Sequence, residues 1–169
     1  MSLENLIQNM DKTDVLGQCP DKNVWERRKN QFRTFEAMAI GNGGGGAQTM
    51  HDQREPLLLE LEHCYCSGAW VSTVLLSQAI IEISMAFHGL SDWKSREKFL
   101  EKYNLHLQAK NLRLYRNSLV HRLQNQPAVI TMEKIVFYRQ EFKIEAKRAV
   151  STALQVTFLG LKYDEPYNA

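Results

Sequence analysis

A chain of 169 residues with 44% hydrophobic and 24% charged side chains is sized and composed for one soluble globular domain with a real core, plus an appendage. Its formal charge of +2 is too small to argue for a nucleic-acid partner by itself, so a polyanion site has to come from local clustering. Three cysteines, Cys19, Cys64 and Cys66, are an odd number behind an opening with no signal-like pattern, which argues against a disulfide framework and for a reducing cytoplasm.

Residues 1–22 carry short apolar hints broken by Gly17 and Pro20. From Val24 to about Ile40 the pattern turns helical, with Trp25, Phe32, Phe35 and Met38 as one apolar stripe and Glu26, Arg27, Arg28 and Lys29 mostly off it. Residues 1–40 therefore read as an amphipathic helical extension, docked on the same chain or on a partner subunit. Gly41 to Gly46 holds five glycines in six positions, costly to order and with nothing to pack, so 41–51 is expected to be a flexible linker. No Gly-Lys-Ser or Gly-Lys-Thr follows it, which sets aside a phosphate-cradling loop.

Residues 52–161 read as a helical bundle without a convincing strand. Pro56 suits a helix start, and Leu57, Leu58, Leu61 and Tyr65 carry that helix to Ser67-Gly68. The next helix, about Ala69 to Phe87, is apolar on most sides, with Thr73, Ser77, Ser84 and His88 in one stripe; its polar interruptions argue against a membrane span. Glu82 falls in an apolar sector one turn after Gln78, where a carboxylate needs a partner. Either it pairs with Arg113 or Arg116 on a facing helix and positions Arg116, or it reaches water at an interface or helix end.

Gly89 closes that helix, Ser91 or Asp92 can cap a short charged one over 93–103, and Asn104 permits a turn. The following helix, about His106 to Leu123, repeats Leu112, Tyr115, Leu119 and Leu123 at helical steps. It places Asn117 and His121 one turn apart on one face, with Arg116 on the flank. A permanent cation, an amide and a group that titrates near neutrality suit metal-free cleavage of RNA. Around them, Lys94, Arg96, Lys98, Lys102, Lys110, Arg113, Arg116 and Arg122 stand against only Glu97 and Glu101, and Lys94, Lys98, Lys102, Lys110 and Arg113 are candidate phosphate contacts. Thr131 can cap a last helix of nearly thirty residues, which is expected to bend or to project against a partner. Residues 162–169 are a polar tail. Cys64 and Cys66 point about 200° apart on a helix, and no ligand set at metal-binding spacing accompanies them or His63.

Arg116-Asn117-Ser118-Leu119-Val120-His121 resembles the R-x4-6-H signature of the HEPN superfamily (higher eukaryotes and prokaryotes nucleotide-binding), in its R-N-x-x-x-H form. The helices before it, around Cys64 to Trp70 and on to Glu82, look like the paired opening helices of such domains. The resemblance covers about residues 52–160. It implies an all-α, up-and-down bundle of HEPN type with an extra N-terminal helix, and a homodimer whose two motif helices line one cleft. It further implies a metal-independent endoribonuclease with Arg116, Asn117 and His121 as the catalytic set, Glu82 in support and no cofactor. Many such proteins are toxins or antiviral effectors restrained by an antitoxin or a sensor protein. A non-catalytic HEPN-like dimeric scaffold that binds a nucleotide or a protein, and a small helical adaptor, are the other readings.

Overall fold

The computed structural model describes residues 19–43, 54–120 and 130–159, and all the regular structure among them is helical. Seven helices follow in order: α1 (Lys22–Gly43), α2 (Arg54–Ser67), α3 (Trp70–Phe87), α4 (Trp93–Glu101), α5 (His106–Val120), α6 (Met132–Phe137) and α7 (Arg139–Thr157). The most extensive packing is α3 on α7, with α2 and α5 flanking α3 and α1 laid across α2 and α7.

Local chemistry sets most of the boundaries. Asp21 opens α1 by accepting the Val24 amide at 2.9 Å, Asp92 does the same for α4 with Ser95 at 2.9 Å, and Thr131 for α6 with Lys134 at 3.1 Å. Gly68 (φ 81°) ends α2 in the left-handed region, so that Ala69 N–H donates to the Cys64 carbonyl at 2.9 Å and the chain turns directly into α3. Asn104 (φ 57°) closes the turn between α4 and α5 in the same way. The long last helix is broken: Tyr138 (φ −111°, ψ 23°) separates α6 from α7, although no glycine or proline marks the place.

The core runs along the α3–α7 seam. Thr73, Ser77 and Ser84 on α3 and Ala146, Ala149 and Ala153 on α7 are all buried, small side chains that let two helices approach closely. Val74, Ile81, Met85, Val150 and Leu154 fill the spaces beside them. By length and a mean hydropathy of 1.5, α3 would reach across a membrane, yet half of it is buried inside the protein.

The first helix departs from the expected stripe. Its buried row is Val24, Arg28, Phe32 and Ala39 with Phe35 half-buried, while Met38 is 61% exposed. Those positions follow steps of three and four, and Arg28 holds one of them, which hydropathy counts as a surface residue. Its Nη1 donates to the Cys66 carbonyl at 3.1 Å, and its guanidinium lies 4.7 Å from the Trp70 ring centroid. Tyr65 Oη donates to Gln31 Oε1 at 2.7 Å. The helix is therefore docked on its own chain, and it continues through Gly41-Asn42-Gly43, where a linker was expected to begin.

Candidate functional site

The motif helix α5 is anchored by its inner row. Leu105, Ala109 and Leu112 are buried at steps of four and three, and the next position on that row, one turn on, is Arg116. The helix thus hands its core-facing line from aliphatic side chains to a guanidinium. Arg116 is half-buried, and its Nη1 donates to Oδ1 of the adjoining Asn117 at 3.1 Å. The amide thus holds the guanidinium from the side through one of its N–H groups. Beside them Ser118 Oγ donates to the Tyr115 carbonyl at 2.6 Å. Burial, with Glu145 and Glu141 adding to it, pushes the Tyr115 phenol up to about 12, so it is a proton donor and not a base at neutral pH. His121 lies outside the described residues, as do Arg122 and Leu123.

Glu82 is not where the sequence placed its partner. Its half-buried carboxylate accepts from Gln78 Nε2 at 3.0 Å, and among the described residues no ion pair joins it to Arg113 or Arg116. A long polar neighbour one turn back on its own helix satisfies it instead. Replacing Glu82 by alanine should therefore cost about 1 kcal/mol, the loss of one acceptor for a buried amide, and leave any activity that depends on Arg116 intact. Urea unfolding beside an RNA cleavage assay checks this; equal loss in both would restore a coupling between the two residues.

The basic cluster resolves into two groups. Lys94, Lys98 and Lys102 are exposed and four residues apart, a single row along α4 and its end. Lys110 and Arg113 instead tie α5 to α4: Lys110 Nζ is 3.2 Å from Glu97 Oε1, and the Arg113 guanidinium sits 4.0 Å from the Trp93 ring centroid. The residues of the expected site that the structure brings into contact are thus Arg116 and Asn117, while the lysine row stands on α4.

No family model, curated protein or solved structure matches this chain.

Two features escaped sequence reasoning. A pocket of about 440 Å³ opens at the α2–α3 corner between Trp25, His63, Trp70 and Arg139. A groove of about 550 Å³ runs between α1 and α7, lined by Arg27, Arg28, Gln31 and Thr34 on one side and Lys143 and Lys147 on the other. The four-residue spacing of Lys143 and Lys147 was visible. That α1 would lie against them, more than a hundred residues away in sequence, was not.

Proposed function

We propose that this chain is a metal-independent endoribonuclease of HEPN type, acting as a homodimer on RNA. The observation that carries the reading is the Arg116–Asn117 hydrogen bond on the last turns of α5, with His121 five and four residues further on in sequence. It supplies an oriented cation on the helix whose sequence leads on to the motif's histidine. In the reaction, His121 of one protomer takes the proton from the ribose 2′-hydroxyl, whose oxygen attacks the adjacent phosphorus. Arg116 stabilises the charge that builds on the phosphorane oxygens, and Asn117 holds Arg116 in place. The bond from phosphorus to the 5′-oxygen breaks, and His121 of the other protomer protonates the leaving oxygen. The products are a 2′,3′-cyclic phosphate and a 5′-hydroxyl. A toxin or antiviral effector, held by a cognate antitoxin or sensor protein, is the biological role that goes with this chemistry.

The dimer is supported by the outer face of α5, where Leu107 and Leu114, a heptad apart, are 58% and 54% exposed. A second copy of α5 is the occupant that a composite site requires. Leu114→Glu is expected to convert a dimer to a monomer in sedimentation while changing monomer stability by less than ~0.5 kcal/mol, as for other surface replacements. A wild-type chain that stays monomeric at micromolar concentration would count against the composite site.

The half-burial of Arg116 on the core-facing row favours a second reading, a non-catalytic dimeric scaffold. Cleavage of RNA by the purified chain in EDTA, and its loss in Arg116→Ala, separates the two. Binding without cleavage by the intact dimer, across several RNA classes, selects the scaffold.

A further inference from the structure

Away from the motif, a concavity lined by positive charge lies between α1 and α7. Arg27 and Arg28 come from α1, Lys143 and Lys147 from α7, and no acidic side chain among the described residues lines it. Arg28 is buried, its guanidinium held between the Cys66 carbonyl and the Trp70 ring, and it lines the groove beside the exposed Arg27. Arg27 is exposed and Lys147 half-exposed, and neither makes an ion pair among the described residues.

The groove does not stop there. Phe35 and Lys147 also line a second hollow of about 610 Å³, which reaches Gln108 and Asn111 on α5. Its single acidic lining residue among those described, Glu145, is paired with Arg148 at 2.6 Å. The path therefore passes from cations, over a half-buried phenyl ring, to amides on the motif helix, and Asn111 is one turn before Tyr115. A basic channel followed by an aromatic ring and hydrogen-bonding amides is the recognition pattern of an unpaired nucleic-acid strand: charge for the backbone, a ring face and amides for the bases.

We propose that the α1–α7 groove and its continuation to α5 form the docking track for the backbone of single-stranded RNA. The choice of RNA as the strand rests on the ribonuclease reading. The track lies on helices other than the lysine row of α4, and it gives the substrate a route to the motif helix.

The test is Arg27→Gln with Lys147→Gln in the full chain, both surface positions, with thermal melting by circular dichroism as the folding control. Binding of a 5′-fluorescein-labelled single-stranded RNA is followed by anisotropy over a salt series, together with cleavage kinetics. The expected result is at least ~10-fold weaker binding at low salt and a log–log salt slope smaller by about 1.4, the share of two phosphate contacts on a single strand. KM should rise while kcat at saturating RNA is retained. Unchanged affinity and slope overturn the track, and if wild-type protein still cuts RNA the ribonuclease reading stands without it. Groove-dependent binding with no cleavage keeps the track and removes the ribonuclease reading. Wild-type protein that ignores RNA but binds a poly-glutamate peptide through Arg27 and Lys147 overturns the assignment to nucleic acid.

Discussion

Alanine at His121 or at Arg116 is expected to lower RNA cleavage by at least ~100-fold, the lower end of what a positioned proton-transfer group contributes. The two substitutions remove different things. In the proposed mechanism, losing His121 removes the proton-transfer group of the motif, whereas losing Arg116 removes the cation that faces the phosphorane and takes from Asn117 its hydrogen-bond donor. RNA binding should change much less in either case, because the α4 row of Lys94, Lys98 and Lys102 remains. Activity should survive EDTA, and a 2′-deoxy or 2′-methoxy group at the cut site should block it, since the nucleophile is then missing. His121→Lys should not rescue, because an amine with an unperturbed pKa of about 10.4 is a poor base at neutral pH. Cleavage of the 2′-blocked substrate, or an absolute need for Mg²⁺, would refute the mechanism even with RNA still being cut.

The largest effect on folding is expected at Trp70. Its indole is 2% exposed and is where four helices meet: Arg28 of α1 lies over the ring at 4.7 Å, Tyr65 of α2 meets it edge-on at 5.7 Å, and Lys143 Nζ of α7 is 5.8 Å from its centroid. Trp70→Ala empties that junction and leaves a buried guanidinium without its ring, at a cost of about 3–5 kcal/mol. Against a total of about 5–15 kcal/mol for a domain, that is enough to unfold a large fraction of molecules on mild warming. Trp70→Phe should cost much less. It keeps an aromatic face for Arg28 and removes an indole N–H that is buried without a hydrogen-bond partner among the described residues. Urea melts with a shifted midpoint and an unchanged slope would report this ordering. An alanine variant as stable as wild type would show that the junction is a meeting place and not a support.

The helical architecture was legible where its causes are local. Gly68, Gly89, Asn104, Asp92 and Thr131 mark helix ends through backbone freedom or a side-chain oxygen within a few residues, and the structure uses each of them. Two other features depended on which helix faces which, and a third on the choice between a partner on the same helix and one on a facing helix. Arg28 joins the core row of α1 only because the Trp70 ring and the Cys66 carbonyl are there to receive it. Glu82 could be recognised as needing a partner, but not that Gln78, on its own helix, would supply it. Arg116 and Asn117 were legible as a pair because adjacency in sequence places them together, whereas the groove of Arg27 and Lys147 joins residues whose proximity exists only after α1 has docked.

Leu105, Ala109 and Leu112 fasten the first half of α5 to the bundle, whereas from Arg113 to Val120 no side chain is fully buried. A helix end whose apolar contact with the core is limited to the partly buried Tyr115 and Leu119 opens at a lower free energy than the whole chain unfolds. The turn that carries Arg116 and Asn117 is therefore the part of α5 whose conformation depends most on whatever comes to cover it. In the proposed dimer the cover is the second protomer, and association would order the turn and complete the reactive groups in one event. On that reading an RNA-cutting dimer would be dormant when dilute and switch on with its own abundance, a threshold response acting in addition to any antitoxin or sensor protein.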